Sequence, residues 1–297
     1  MKMKKIVVIL GPTASGKTDL SIKLAKKFGG EIVSADSRQV YKGMNIGTGK
    51  ATKKEMQGIP HHLLDVASPK KRFTVAQYKK LAEKAIKNIQ KKGRLPFLVG
   101  GTGFYIQAVI DGIIIPEVKP DLKLRKGLEQ KSAEDLFKRL ERIDPKRAKN
   151  IDKFNKRRLV RALEIVMSSK SPVPPLKTNP IDSEILILGT NKKDLNKLIY
   201  YRLIKRLKYG MIAEVKRLRK QGVSWKRLEE FGLEYRYIAL FLQGKISKKE
   251  MIEKLQKEIE HYAKRQMTWF KRDKRIHWIK NEKQARNLLK NFTSTTS

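Results

Sequence analysis

GPTASGKT, residues 11–18, stands directly behind the apolar run IVVIL, 6–10, and directly before a stretch, 16–28, whose apolar residues recur at helical spacing. Glycine, four residues, then Gly-Lys-Thr between a strand and a helix is the pattern of a phosphate-binding loop. In such a loop, built here from Gly11, Pro12, Thr13, Ala14, Ser15, Gly16, Lys17 and Thr18, glycines let backbone N–H groups close around phosphate oxygens. The helix N-terminus adds partial positive charge, the lysine neutralises the outer phosphate and the threonine hydroxyl can ligate Mg²⁺. The plain alternative is a structural glycine turn. Taken alone the motif announces a nucleotide, most often ATP.

Working outward, EIVSA at 31–35 reads as a second strand ending in Asp36. A helix over 75–92 opens on a Thr74/Gln77 capping box, in which each end satisfies a free backbone donor of the other. A third strand, 95–99, breaks on GGTG, 100–103, and ILILG at 185–189 is a fourth. Strands alternating with helices at this spacing predict an α/β, P-loop NTPase-like fold, a three-layer arrangement with a parallel sheet between helices. Residues 117–181 are helical and charged with no strand signal, and they close in SPVPP and NP. They read as an all-helical insertion domain in a core made of 1–116 and 182–280. A long helix over 192–220 and another over 247–270, opened by a Ser247/Glu250 capping box, complete the core. The tail, 281–297, ends in NFTSTTS, which has nothing to bury and is expected to be disordered.

The chain of 297 residues has 69 Lys plus Arg against 29 Asp plus Glu, a formal net charge of +40. That balance points to a polyanionic partner, most often nucleic acid, although a lysine-rich surface would also produce it. No apolar run is long enough to span a membrane. MKMKK runs straight into the strand that the loop needs, so no cleaved signal peptide is expected. The absence of cysteine excludes disulfides and thiolate metal sites and fits a reducing cytoplasm. Four histidines, two of them adjacent at 61 and 62, make a dedicated metal cage improbable.

An NTP hydrolase of this fold needs a second carboxylate at a buried strand end to hold magnesium and position water. The third strand ends in GGTG and the fourth in GTN, and neither offers one. The acid that does end a core strand is Asp36, in SADSRQVY, which should share a crevice with the phosphates and can serve as a general base. Its bland reading is an Asp-Ser turn cap. Asp65, ahead of Ala-Ser-Pro, reads as a structural turn. Thr102 offers a hydroxyl at the crevice, or merely a strand-to-helix turn. Two basic stretches stand out. Residues 146–161 carry eight cations against one acid, and KRQMTWFKR, 264–272, interleaves cations with Trp269 and Phe270. The mixture suits phosphate neutralisation plus base stacking; a solvated helix face or core aromatics are the alternatives.

GPTASGKT, SADSRQVYKGMNIGTGK at 34–50, PHHLLD at 60–65, LVGGTGFY at 98–105, RRLVRALE at 157–164 and KRQMTWF at 264–270 occur in this order, and together they resemble the tRNA dimethylallyltransferases. The likeness runs from about residue 6 to 280. It implies that the phosphate is that of dimethylallyl diphosphate and that it departs, with Lys17, Thr18 and Mg²⁺ stabilising the leaving diphosphate and Asp36 accepting a proton from the adenine amine. It further implies Arg236 as a diphosphate contact, and Asp36, Ser37, Arg38 and Gln39 around the target base. Thr102, Arg125, Arg157, Arg158, Arg161, Lys264, Arg265, Gln266 and Trp269 are implied as contacts to the tRNA anticodon stem-loop. A cytoplasmic monomer without membrane attachment follows from the same resemblance. Three positions depart from the family pattern: Glu234 where glycine precedes Tyr-Arg, Asn155 for an aspartate, and GTGKAT for GTAKP. Glu234 is expected to pair with Arg236. An adenylate isopentenyltransferase and a P-loop small-molecule kinase are the rival activities; the insertion and basic stretches weigh against the first, the missing second acid against the other.

Overall fold

The computed structural model describes residues 4–116, 118, 121–175 and 177–294, residue 122 by its backbone alone. Up to Asp111 the elements are β1 Lys5–Leu10, α1 Lys17–Lys27, β2 Gly30–Ala35, α2 Lys53–Met56, β3 His61–His62, α3 Val75–Lys91, β4 Leu95–Gly100 and α4 Gly103–Ile110. There follow α5 Leu122–Glu129, α6 Ala133–Ile143, α7 Pro145–Ala148 and α8 Lys156–Ser169. The chain then continues through β5 Glu184–Thr190, α9 Leu195–Lys208, α10 Met211–Lys220, α11 Trp225–Phe231 and α12 Leu233–Leu242. It ends with α13 Lys248–Phe270, β6 Ile276–Ile279 and α14 Glu282–Ser294. Two compact units result, one running to Asp111 and resuming at Pro180, the other Gly112–Asn179.

In the first unit the six strands form one sheet in the order β3-β2-β4-β1-β5-β6, every neighbouring pair parallel. Strand side chains alternate between faces, and both faces are apolar. Ile6, Val8 and Leu10 of β1 join Val33, Leu98 and Ile187 in a core shared with Tyr78, Ile86, Tyr235 and Leu255 from the helices. Val7 and Ile9 join Phe97, Val99 and Leu188 in a second core with Ile22, Leu24, Ala285 and Leu289. Burying each such side chain stabilises by about 1.5–3 kcal/mol, and helices on both faces are the consequence of a sheet with no polar side. Loops at the carboxyl ends of β1, β2 and β4 converge at the crevice where chain order reverses across the sheet.

Three features differ from the sequence expectation. β3 and β6 extend the sheet at its edges; two residues of His-His and four of IHWI are too short for an alternation signal. The single helix expected over 192–220 is two, because Gly210 at φ +93° ends one and caps the next. The C-terminal stretch is ordered as α14 through Ser294, with Ala285 and Leu289 buried and Phe292 packed beside them against the α1 face of the sheet. The final residues, 295–297, lie outside the described residues.

The second unit packs Leu136 and Leu140 of α6 against Leu159 and Leu163 of α8. Asp144 is buried and accepts from the amides of Arg147 (3.0 Å) and Val173 (2.7 Å), capping α7 and tying in the chain that leaves α8. An isolated antiparallel bridge, Ile113 to Thr178, closes the unit where the chain enters and leaves. No helix among the described residues is long and apolar enough to cross a membrane.

If α14 is integral to the sheet layer, Leu289→Ala leaves a cavity in a closed core. The expected loss is about 2–4 kcal/mol, read by urea denaturation with an unchanged m-value; a change under about 0.5 kcal/mol, the range of surface substitutions, would mean the helix only rests on the surface.

Candidate active site

After β1 the chain turns through Gly11 (φ +151°), Ala14 (φ +64°) and Gly16 (φ +85°) before α1 begins. A Cβ on Gly11 would collide with the carbonyl and hydroxyl oxygens of Thr190, so only glycine fits. Thr190 Oγ1 donates to Leu10 O (3.2 Å) and accepts from Ser15 Oγ (2.7 Å), fastening the loop to the end of β5. Lys17 Nζ donates to Pro12 O at 2.6 Å. The first-turn amides of α1 have no intrahelical acceptor, and Gly16, Lys17 and Thr18 line a cleft of about 800 Å³. Burial, and next the charge of Arg202, pull the Lys17 ammonium down to about 7, with Asp36 acting the other way. A phosphate placed there favours the ammonium again.

β2 delivers Asp36 to the same cleft. Its Oδ1 accepts the amides of Arg38 (2.8 Å) and Gln39 (3.2 Å), so the turn cap and the cleft position coexist in one side chain. Both bonds fall on Oδ1. Ser37 N donates to Thr102 Oγ1 at 3.0 Å. Thr102 therefore braces the Asp36 turn from β4, and the cleft lining beside it comes from Gly100 and Gly101. Gln39 Oε1 accepts from Ser34 Oγ (3.1 Å). Arg38 donates through Nε to Phe231 O (3.0 Å) and lies 5.7 Å from the Tyr262 ring centroid. Burial and then the Asp36 carboxylate push the Tyr262 phenol up to about 12, which keeps it a neutral wall.

α13 closes one side. Gln266 is buried; its Oε1 accepts from Thr13 N (2.9 Å) and its Nε2 donates to Gly101 O (2.7 Å). Trp269 packs where a Cβ on Gly103 would stand. Lys264 and Arg265 on the same helix are exposed.

The opposite wall was not legible in the motifs. Glu214 of α10 is buried and accepts from the amides of Asn45 (2.9 Å), Ile46 (2.7 Å) and Gly47 (3.1 Å) and from Tyr235 Oη (2.8 Å), fixing the loop that carries Thr48 and Gly49 into the cleft. Arg202, Lys205 and Arg206 of α9 line the cleft. Arg206 donates to Gly47 O (3.3 Å) and Glu234 Oε1 (3.2 Å), and Arg38 reaches Glu234 Oε2 at 3.9 Å. Glu234 thus pairs with Arg206 and Arg38, against the expected pairing with Arg236. Arg236 donates instead to Glu229 O (3.1 Å) and is absent from the cleft lining. The signal for the α9 cations was their spacing, which turns Ile199 and Leu203 into the core and sets 202, 205 and 206 elsewhere; seeing it required the correct helix boundary.

A family model described as IPP transferase matches residues 39–273. The chain belongs to that family. Among IPP transferase relatives, tRNA dimethylallyltransferase 1 of Syntrophus aciditrophicus is 44% identical over 291 residues, 94% of this chain and 95% of that protein. The protein of the same name from Geotalea uraniireducens is 40% identical over 295 residues, 96% and 97% of the two chains. The tRNA isopentenylpyrophosphate transferase of Bacillus halodurans superposes with a TM-score of 0.72 at 37% identity, covering 98% of this chain and 96% of that one. A eukaryotic dimethylallyltransferase acting on tRNA gives 0.76 at 28% identity, covering 90% and 69%.

In the second unit, the four arginines of interest divide. Arg125 grips Glu164 with both Nε and Nη2 (2.7 Å each), and Arg161 donates to the same carboxylate and to Val118 O (3.0 Å). Burial alone would raise the Glu164 carboxyl, but these bonds and the Asp121 amide hold it below the ordinary range. Arg157 and Arg158, by contrast, are exposed at the start of α8. Among the described residues no three His, Asp or Glu side chains converge to cage a metal. Thr18 lines the cleft, and its hydroxyl is a hard oxygen donor of the kind Mg²⁺ takes.

The depressed Lys17 makes anion capture proton-linked. Calorimetry of inorganic diphosphate binding at pH 8 in buffers of different ionisation enthalpy should show wild type taking up close to one more proton than Lys17→Arg, which stays charged; at pH 6 the difference should vanish. Equal proton counts at pH 8 would mean that Lys17 is charged without a ligand.

Proposed function

We propose that this chain transfers the dimethylallyl group of dimethylallyl diphosphate to the exocyclic amine of the adenosine beside the anticodon in tRNA, releasing diphosphate. The observation that carries the reading is a phosphate loop and Asp36 in one cleft with no second acid at the ends of β4 and β5, where a water-activating group would stand. An acceptor amine needs a proton taken from it and nothing to activate water. The relatives' names supply the donor and acceptor classes.

In this reading the loop amides, Lys17 and Arg202 hold the diphosphate, with Thr18 able to ligate Mg²⁺. When bound, that ion adds neutralising charge to the departing oxygens. The bond from the allylic carbon to diphosphate oxygen breaks as the bond to the adenine nitrogen forms, and the amine proton passes to Asp36 Oδ2. Charge accumulates on the diphosphate where the loop already directs its donors. The Asp36–Gln39 turn, braced by Thr102, holds the flipped base. Exposed Arg157, Arg158, Lys264 and Arg265 attract the RNA backbone, while Arg125, Arg161, Gln266 and Trp269 act first by holding the surfaces that carry those cations. A monomer working in the cytoplasm belongs to this reading, as the resemblance implies.

The protein is incubated with Mg²⁺, dimethylallyl diphosphate and, in parallel, unmodified tRNA, AMP or ATP, followed by digestion and mass spectrometry. Isopentenyl-adenosine from tRNA alone is the expected result; product from AMP alone, or from no acceptor, overturns it. Asp36→Asn preserves an oxygen for the Arg38 and Gln39 amides while removing the base, so its single-turnover rate should fall about 10²–10⁴-fold with tRNA affinity retained. Arg157→Gln with Arg158→Gln should reduce the salt slope of tRNA binding by about two; an unchanged slope would make them a solvated helix face.

A further inference from the structure

The outer face of α9 carries Lys197, Tyr201, Lys205 and Lys208, with the C-cap Tyr209 continuing the row, residues three or four apart that share one side of the helix, all of them exposed. Tyr201 and Tyr209 are each 68% exposed, and Tyr200 43%. Their ring contacts are slight: Tyr200 meets Tyr201 edge-on at 6.1 Å, and Lys205 Nζ stands 5.7 Å from the Tyr209 ring. The inner face, with Ile199 and Leu203, satisfies the core, so folding does not require these aromatics. The helix holds five cations and no acid. Lys205 and Tyr209 also line the cleft, which makes the stripe a continuous path to the reacting centre from outside.

We propose that this face of α9 binds unpaired nucleotides flanking the one that enters the cleft, with Tyr201 and Tyr209 as stacking platforms and Lys197, Lys205 and Lys208 neutralising phosphates. The proposal rests on the RNA acceptor assigned above and adds the surface that receives its single strand. An acid-free helix favours a polyanion over a protein partner. Rings separated by eight residues stand about 12 Å apart along a helix, far enough for each to take a separate splayed base with a nucleotide between them. A duplex buries its bases in its own stack and offers the rings nothing.

The test is fluorescence anisotropy with a labelled anticodon stem-loop and with a fully paired RNA of equal length. Tyr201→Ala should weaken stem-loop binding about tenfold, leave paired-RNA binding unchanged and leave the salt slope unchanged. Tyr201→Phe should bind like wild type. Lys197→Gln with Lys208→Gln should lower the salt slope for both RNAs. Stem-loop affinity equal to wild type in Tyr201→Ala, or an equal loss on paired RNA, overturns the proposal. Because binding is read without turnover, the wild-type transfer assay reports separately on the activity: a Tyr201-dependent loop affinity without prenyl transfer would sink the activity and keep the surface.

Discussion

A single buried carboxamide sets the separation between the two glycine loops on which the cleft depends. Gln266 accepts from the phosphate loop at Thr13 and donates to the β4 loop at Gly101. Both loops are rich in glycine and could drift on their own. Because the carboxamide is buried, losing either bond would leave an uncompensated polar group, so the long helix α13 is pinned to both strand ends at once. The position of Asp36 follows, since its turn leans on Thr102 two residues past Gly100.

A second constraint is the use of scarce acids in a strongly cationic chain. Glu31, Glu164, Glu214 and Glu234 are all buried, and each gathers donors. Glu31 takes His62 (2.6 Å) and Arg94 (2.9 Å), Glu164 takes Arg125 and Arg161, Glu214 takes three amides and a phenol, and Glu234 takes Arg206. Removing one such acid would strand several donors in low dielectric. The buried carboxylates are thus used to fix loops and helix crossings, and the chain as a whole keeps a formal net charge of +40, of the sign that attracts a polyanion.

The fold's centre was legible because its signals are local. A glycine loop between β1 and α1, two capping boxes and apolar strand runs each depend on neighbours in sequence. What escaped depended on distance. Glu214 reveals nothing until α10 is folded beside the Asn45–Gly47 loop, and the α9 cations acquire a direction only once Gly210 ends their helix. Arg236 differs in another way: the motif position donates to Glu229 O, and the cation that lines the cleft is Arg202 of α9. Phe292 was hidden because a lone aromatic in a polar tail has no partner until β5 and β6 are paired.

The missing second acid is built into the packing. At the end of β4, a side chain on Gly100 would strike the Ala35 carbonyl and one on Gly101 would strike Gln266. At the end of β5, the Thr190 hydroxyl is already committed between Leu10 O and Ser15 Oγ. A carboxylate at Gly100, Gly101 or Thr190 would break into these contacts. The contacts that shape the cradle thus account for the residues at these two strand ends, and the acids that line the cleft, Asp19, Asp36, Glu55 and Glu234, come from other elements.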